Sequence, residues 1–198
     1  MATLTDNAIA ARLLDSAVRL FADKGYPATS TREIVESAGV TKPMLYYYFQ
    51  SKEGLLAAAL AHFINPFHER LRQVVVRRLN AHEMLVELVW AHLDFCQANQ
   101  ALARLFYTLY FGPEDQRGLV DLEQYAEQGH ELLMRAVTQA KAARLIRAGS
   151  EEDFGMALHG MINIWVMAAL RGEAELNRGL AKRVVDNLLR GYKHPDSR

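Results

Sequence analysis

Apolar residues recur along this chain three or four positions apart, which is the spacing of an α-helix with one buried face. Between Ile9 and Phe21 this period predicts a first amphipathic helix, and Gly25 is a suitable residue to end it. The later stretches show the same period, and none of them predicts a strand. The pattern therefore predicts an all-α protein.

Residues 30–52 predict two short helices joined by a tight turn. Ser30 and Glu33 have the spacing of a capping box at the start of the first helix, and Gly39 stands where a left-handed residue would end it. Thr41 is placed to cap the second helix, whose first turn tolerates Pro43. A helix, a short turn with glycine and a second helix form the arrangement that presents a recognition helix to the major groove of DNA.

The second short helix has polar groups on the side away from its apolar stripe. Leu45 and Phe49, four residues apart, give it a buried face, so the residues between them are expected at the surface. No acidic residue lies between Ser37 and Lys52, and phenol and ammonium groups donate hydrogen bonds to phosphate oxygens. The structural alternative is an ordinary amphipathic surface with Tyr46 packed inward. The candidate DNA-contacting residues are Ser30, Thr31, Arg32, Thr41, Lys42, Pro43, Met44, Tyr46, Tyr47, Tyr48 and Lys52.

Motifs between about residue 8 and residue 60 resemble the TetR/AcrR family of bacterial transcriptional repressors. The matching positions are Leu20-Phe21, Gly25-Tyr26, Thr31, Ile34, Ala38-Gly39-Val40, Leu45-Tyr46-Tyr47-Tyr48-Phe49 and Ser51-Lys52-Glu53-Gly54-Leu55. Met44 stands where the family commonly has a small or hydroxyl residue, and Val35 where alanine is common. The resemblance implies a homodimeric repressor of a pseudo-palindromic operator that responds to a small molecule.

The composition is that of a globular protein with a sizeable core. Of 198 residues, 51% are hydrophobic and 23% are charged, with a formal net charge of zero. Residues 1–52 contain six Lys or Arg against five Asp or Glu, so charge alone does not indicate nucleic-acid binding. The single cysteine, Cys96, fits a reducing compartment, and no targeting segment is visible. These features predict a cytoplasmic protein.

The chain is predicted to contain two domains. Residues 1–50 form a three-helix module with the helix-turn-helix, and residues 51–198 form a larger helical domain for effector binding and dimerisation. Ser51 is expected to cap a fourth helix, and Pro66 is expected to kink or break it. Five further helices are expected from residue 81 onward.

The segment from Phe154 to Leu170 is apolar nearly all round. A membrane span is one interpretation, but the run is at the short limit for crossing a bilayer and contains His159 and Asn163. Burial by its own domain and by a partner is the other. The resemblance implies that the two terminal helices form the dimer interface, for which the predicted residues are Phe154, Leu158, Ile162, Trp165, Leu176, Leu180, Val184 and Leu188.

Aromatic and methionine side chains are dense in the second domain. Most are expected in the core, but the resemblance implies an apolar cavity for a ligand, which needs a few polar groups to orient it. We expect a mainly hydrophobic effector, neutral or weakly polar, because the acids and arginines fall off the apolar stripes. The candidate pocket residues are Phe63, Phe67, Trp90, His92, Phe106, Tyr107, Tyr110, Met134, His159, Met161 and Asn163.

Two other functional classes were weighed against a ligand-responsive regulator. The seven histidines form no H-E-x-x-H motif, and there is no glycine-rich phosphate loop or G-x-S-x-G motif. The chain is therefore predicted to have no enzymatic activity, no metal and no cofactor. A DNA-binding regulator controlled by a partner protein, with a fully packed second domain, remains as the alternative.

Overall fold

A computed structural model describes residues 4–113, 120–147 and 149–192. In these ranges the regular structure is entirely α-helical, as the sequence pattern predicts. The described helices are α1 (Leu4–Lys24), α2 (Thr31–Ala38), α3 (Lys42–Phe49), α4 (Lys52–Val76), α5 (Ala81–Ala98), α6 (Gln100–Tyr110), α7 (Leu122–Ala142), α8 (Glu151–Leu170) and α9 (Arg178–Gly191).

The chain divides into two compact units. The first unit contains Met1–Asn65 and Asn99–Glu123, and the second contains Pro66–Ala98 and Gln124–Arg198. Helix α4 begins in the first unit and ends in the second. The first unit is therefore larger than the predicted module of residues 1–50, because it also holds the start of α4 and the whole of α6.

The first unit is built around α1. This helix packs against α2 and α6, and α2 packs against α3. Leu13 and Phe21 of α1, Ile34 of α2 and Leu45 of α3 are all fully buried. Burial of such side chains contributes about 1.5–3 kcal/mol each, so the apolar stripes of three short elements are enough to hold α2 and α3 against α1.

The ends of α1 and α2 follow the local sequence. Gly25 has φ +83° just after α1, and Gly39 has φ +63° at the end of α2, where its amide donates to the carbonyl of Glu36. Both left-handed positions suit glycine. The prediction for Thr41 needs correction. Thr41 occupies the N-cap position of α3, but its side chain makes no capping hydrogen bond.

Helix α4 is continuous through Pro66, which excludes the break, while the kink that was expected as the other outcome stays a prediction. Its start is as predicted, since the Ser51 hydroxyl accepts a hydrogen bond from the Gly54 amide at 2.9 Å. Proline removes one backbone hydrogen bond within a helix. Ile64 before it and Phe67 after it are both buried, so packing on both sides of the proline favours continuation of the helix.

The second unit joins four helices and the latter part of α4 through contacts far apart in sequence. Helix α5 packs against α8 and α9, and α9 packs against α8. The α5–α9 pair is antiparallel: Glu87 pairs with Arg178, and His82 lies 2.7 Å from Asp186 near the other end. Helices α7 and α8 approach closely at Gly155, where an added Cβ would lie 2.5 Å from the Met134 sulfur.

Among the described residues, α8 is the one helix that is long and apolar enough to cross a membrane. It has 20 residues, and its first turn carries Glu151, Glu152 and Asp153. Length and composition are weak evidence for a span, because a core helix of a soluble protein meets the same criteria. One face of α8 is buried in the second unit through Phe154 and Leu158, while its opposite face is exposed.

Candidate functional site

Helix α2 is fixed at its start by reciprocal hydrogen bonds. The Ser30 amide donates to the Glu33 carboxylate at 2.8 Å, and the Glu33 amide donates to the Ser30 hydroxyl at 3.2 Å. Lys24 of α1 donates to the same carboxylate at 2.5 Å. These hydrogen bonds, that of Lys24 foremost, lower the pKa of Glu33 to about 2. The predicted capping box is therefore present, and it also ties α2 to α1.

Helix α3 exposes a surface with phenol and ammonium groups. Tyr47 is 79% exposed and Tyr46 is 42% exposed, so the alternative with Tyr46 packed inward is wrong. The Lys42 ammonium lies 5.7 Å from the centre of the Tyr46 ring, and the Tyr47 ring meets Tyr48 edge to face. Met44 is half-buried beside this surface. The sequence of α3 contains no acidic residue, so nothing on the helix itself repels an anion.

Lys52 is placed differently from the other basic candidates. Its ammonium donates to the backbone carbonyl of Tyr26 at 2.5 Å and lies 4.1 Å from the centre of the Tyr26 ring. Burial lowers the pKa of Lys52. The Tyr26 hydroxyl donates in turn to Glu53 at 2.9 Å. Lys52 therefore joins the start of α4 to the end of α1, and this structural role competes with the predicted contact to phosphate.

The remaining candidates on α2 and its flanks are mostly exposed. Arg32 donates to Glu36 at 2.7 Å across one turn, which leaves it an exposed arginine with a weak local partner. Ser30, Thr41 and Pro43 are also exposed, and Thr31 is half-buried. The structure thus brings the predicted DNA-contacting residues to one region of the first unit, with Lys52 as the most constrained of them.

Histidines and aromatic rings from four helices meet inside the second unit. Phe67 of α4 stacks on Phe95 of α5 with ring centres 4.3 Å apart, and its edge meets His92 at 5.2 Å. His68 accepts from or donates to Gln128 of α7 at 3.2 Å, according to its tautomer. His159 of α8 faces His130 of α7, with ring centres 6.1 Å apart. We call His68, His92, His130 and His159 the histidine cluster.

Burial, helped by nearby positive charge, favours the neutral form of His68, His92 and His159, whereas His130 is exposed. Desolvation lowers the pKa of His92 to about 3, with further lowering by His159 and His68. Desolvation also lowers the pKa values of His68 and His159, helped by Arg72 and His130 respectively. An ordinary histidine has a pKa near 6.5. These imidazoles therefore act as neutral donors and acceptors at pH 7.

The predicted pocket residues are divided between the two units. Phe63, Phe106, Tyr107 and Tyr110 lie in the first unit, where Phe106 stacks on Tyr110 with ring centres 5.7 Å apart. The other seven lie in the second unit. Trp90 precedes His92 by two residues and Met161 follows His159 by two, so each points to a different side of its helix from the neighbouring histidine.

Sequence reasoning missed several members of the site. Phe95 lies three residues after His92 on α5, which is a helical spacing that the periodicity of α5 could have indicated. His68 directly follows the predicted Phe67. For Gln128 and His130 no local signal exists, because their partners are 60 and 29 residues away in the chain.

The predicted dimer residues are largely internal to the chain. Phe154, Leu158 and Ile162 of α8 are at most 1% exposed, and Leu176, Leu180 and Val184 are likewise buried. Only Trp165 and Leu188 of the predicted set retain partial exposure. The buried six are therefore corrected to core residues of the second unit. The amphipathic stripe was identified properly, but it faces the protein's own interior.

The exposed face of α8 carries the apolar side chains that the predicted set lacked. Met156, Ile164 and Met167 are 67%, 55% and 37% exposed. Gly160 lies among them at helical spacing, and an added Cβ there would meet nothing within 4 Å. This face, which we call the α8 outer face, is an apolar stripe opposite the buried side of the same helix.

The other potentially reactive side chains discussed for the described residues have structural roles. Cys96 is buried, and burial raises the pKa of its thiol to about 12, which keeps it unreactive. No group of three or more His, Cys, Asp or Glu within the described ranges is arranged to hold a metal ion. The carboxylates of Asp94 and Asp186 pair with Arg70 and with Lys182 and His82.

Comparison with known proteins points to one family. Residues 13–59 match the model of the family described as bacterial regulatory proteins, tetR family. These residues run from the buried part of α1 through α2 and α3 into α4. The match therefore covers the helix-turn-helix and the helix that follows it.

Curated relatives resemble the chain mainly over its N-terminal half. The HTH-type transcriptional repressor KstR2 of Rhodococcus jostii is 31% identical over 94 residues, covering 48% of this chain and 46% of that protein. The HTH-type transcriptional activator FasR of Mycolicibacterium smegmatis is 30% identical over 142 residues, covering 70% and 65%. The chain spans about half the length of most of the curated relatives it matches.

Solved structures resemble the chain over nearly its whole length. The transcriptional regulator FadR of Bacillus subtilis, in complex with stearoyl-CoA, superposes with a TM-score of 0.78 at 21% identity, covering 91% of this chain and 98% of that one. At this identity the likeness establishes the fold.

Proposed function

Because the chain belongs to the TetR family of bacterial regulatory proteins, we propose that it is a DNA-binding transcriptional regulator that represses from a pseudo-palindromic operator. The observation that carries this proposal is the exposed surface of α3, where lysine and tyrosine side chains stand together without an acidic neighbour. Catalysis has no part in this function, and a cytoplasmic location follows from it.

The proposal divides the α3 surface into two kinds of contact. The exposed Tyr47 hydroxyl and the amide end of α2 are suited to phosphate, which positions the protein without reading sequence. Lys42 can address the acceptors of guanine, and Met44 can contact a thymine methyl group. The Lys52 ammonium is held at the Tyr26 carbonyl and has its remaining N–H groups for phosphate, so its contribution to affinity is expected to be smaller than that of the exposed Lys42.

The test is an operator titration with matched lysine variants. Lys42→Ala should reduce operator affinity and change the preferred bases, while Arg77→Ala, an exposed basic residue at the end of α4, serves as the control. Operators selected from a random pool by Met44→Thr should show a shifted consensus. Equal affinity of Lys42→Ala and Arg77→Ala would contradict the proposed interface.

We further propose that two copies associate through the α8 outer face. Met156, Ile164 and Met167 supply exposed apolar area, and the open space beside Gly160 permits a partner helix to approach closely. Obligate dimers commonly bury about 2,000 Å² or more. Two recognition helices on a twofold axis would then read half-sites roughly 34–36 Å apart.

Charged substitutions on α8 test the dimer. Met156→Glu combined with Ile164→Glu should give monomers by light scattering and abolish tight operator binding. Val76→Glu is the matched control, because Val76 is also an exposed apolar residue, 79% exposed at the end of α4. A dimer that survives both substitutions on α8 would exclude this face as the interface.

We also propose that a small, mainly hydrophobic effector binds in the second unit and releases the operator. Support comes from the aromatic wall of Phe67 and Phe95 beside the histidine cluster, and from the stearoyl-CoA bound by the B. subtilis FadR of the same fold. A ligand acts by its differential affinity for two conformations, typically with a coupling of about 1–3 kcal/mol.

A thermal-shift screen of apolar, cationic and anionic compounds tests the effector. Each stabilising compound should also weaken operator binding in a titration, by the same factor by which operator weakens its own binding. If no compound of any class stabilises the protein, control by a partner protein becomes the favoured alternative.

A further inference from the structure

The interior of the second unit offers polar atoms that the chain itself leaves unused. His92 and His159 make no hydrogen bond to any residue in the described ranges. Every fully buried polar side-chain atom in these ranges has a hydrogen-bond partner. The ring nitrogens of these two histidines must therefore keep accessible surface, even though protein atoms desolvate both rings. Space that at least a water molecule can reach therefore lies beside the unpaired nitrogens of each ring.

One wall beside this space is apolar. Phe67 contacts the His92 ring at its edge and stacks on Phe95. Both aromatic rings belong to the second unit, and Phe67 is buried while Phe95 is half-buried. An occupant must therefore present a hydrogen-bonding group to the imidazoles and apolar surface to the phenylalanines.

Three carboxylates of the second unit, Asp94, Glu87 and Asp186, are paired with cations. From α4, Arg70 pairs with Asp94 of α5, and Arg72 adds a positive charge near His68. From α9, Asp186 is held by His82 and Lys182, and Arg178 by Glu87. From α7, the facing titratable side chains are His130 and Tyr125, whose ring centre lies 6.5 Å from that of His68. His68, His92 and His159 are thus neutral imidazoles, and these three carboxylates are engaged by other cations.

From this juxtaposition we propose that the second unit binds an apolar molecule that ends in a carboxylate, with His92 and His159 holding the carboxylate and Phe67 and Phe95 contacting the apolar part. Two imidazoles offer two N–H donors, which matches the two oxygens of a carboxylate. A cationic ligand would find no opposite charge in these neutral imidazoles and would lie near the positive charge of Arg72. The inference rests on the effector part of the proposed function and replaces the expected neutral head group.

Binding of a carboxylate couples to proton uptake. One imidazole of the cluster takes a proton from solvent as the anion enters, so the buried product is an imidazolium–carboxylate pair without net charge. An opposite charge at hydrogen-bond distance favours the protonated imidazole. Because a proton is bound with the ligand, affinity should rise by up to about tenfold for each unit of pH decrease between the higher pKa of the histidine in the complex and its lower pKa in the free protein.

Matched ligands on the full-length protein test the head group. Decanoate should bind about tenfold or more tighter than 1-decanol, since hydrogen bonds to charged groups contribute roughly 1.5–3 kcal/mol. Calorimetry in buffers of different ionisation enthalpy should report close to one proton taken up with decanoate and none with 1-decanol. Equal affinity for the two compounds, or no proton uptake, would overturn the proposal while leaving the hydrophobic effector in place.

Histidine variants locate the contact. His92→Gln and His159→Gln should each weaken decanoate binding about tenfold and leave 1-decanol binding within a factor of two or three. His62→Gln is the control, because His62 is exposed on α4 within the first unit. Decanoate binding that is unchanged in both cluster variants would overturn the proposal. If neither decanoate nor 1-decanol binds the wild type, the proposal of a hydrophobic effector fails as well. The proposal of a DNA-binding regulator is tested separately, by operator binding in the absence of ligand.

Discussion

The α2–α3 segment and the histidine cluster are organised in opposite ways. The α2–α3 segment is determined by near neighbours: its capping box joins residues three apart, and its turn is set by one glycine. The histidine cluster draws residues from α4, α5, α7 and α8, and its contacts join residues as far as 60 positions apart. The first surface is therefore expected to tolerate changes elsewhere in the chain, whereas the second depends on the packing of the whole unit.

The two regions also present different kinds of side chain to a partner. Tyr47 and Lys42 are exposed and available to a large polyanion. His92 and His159 are largely desolvated by surrounding protein atoms, so they are much less available to a large partner. A surface of the first kind suits DNA, and an interior of the second kind suits a small ligand. The two tryptophans, Trp90 and Trp165, both lie in the second unit, so their fluorescence reports that unit separately.

The largest expected effect is the unfolding of the α2–α3 segment while the second unit stays folded. Leu45→Ala removes a fully buried side chain of α3, for which about 2–5 kcal/mol of destabilisation is typical. Operator binding should be abolished and helical circular dichroism reduced, while the denaturation midpoint followed by tryptophan fluorescence stays near that of the wild type. A matching fall in the fluorescence midpoint would show that the two units unfold as one. Val76→Ala, at an exposed position, is the control.

The next effect concerns acid stability of the histidine cluster. The pKa of His92 is about 3 in the folded protein and near 6.5 in an unfolded chain. Between these values the unfolded state binds the proton and the folded state does not, so stability is full above about pH 6.5 and falls as pH decreases, by up to about 1.4 kcal/mol per pH unit for one such histidine.

The measurement is urea denaturation by tryptophan fluorescence between about pH 7.5 and pH 5. His92→Gln should make the pH dependence of the free energy of unfolding shallower, because glutamine cannot take up the proton. His62→Gln should leave the slope unchanged. An identical slope for the wild type and His92→Gln would mean that His92 does not contribute to the acid sensitivity.

Removal of the helix cap has a smaller and more local effect. Ser30→Ala deletes the hydroxyl that accepts from the Glu33 amide, which is expected to cost about 1 kcal/mol. The loss should appear in thermal unfolding followed by circular dichroism and in weaker operator binding. Ser37→Ala replaces another exposed serine of α2 that is not at the cap. An equal loss of stability in Ser37→Ala would show that the capping hydroxyl of Ser30 makes no special contribution.

The smallest expected effect is at the DNA surface itself. Tyr47→Phe removes one phenol hydroxyl, and loss of a single hydrogen bond typically costs about 0.5–1.5 kcal/mol. Affinity should decrease by a similar factor for the operator and for unrelated duplex DNA, because a phosphate contact carries no sequence information. Titration of both duplexes checks this. A change confined to the operator would assign Tyr47 to base readout instead.

The amino-acid sequence determined most of the local structure. The all-α fold of the described ranges, the capping box at Ser30, the end of α1 at Gly25, the left-handed end of α2 at Gly39 and the start of α4 at Ser51 are present as predicted. Each depends on hydrogen bonds or backbone angles within a few residues. Even the exposed side of α3 follows from the position of Leu45 on its helix.

Tertiary structure decided which apolar stripes face inward and which polar groups meet. The stripe containing Leu180 and Val184 was visible in the sequence, but only packing showed that these side chains lie inside the chain, because a helix surface covered by its own domain and one covered by a partner have the same period. The same holds for Pro66, where buried neighbours keep α4 continuous, and for His92 and His159, which three-dimensional packing brings into one cluster. Periodicity specifies the faces of a helix, whereas contacts between distant segments specify what covers each face.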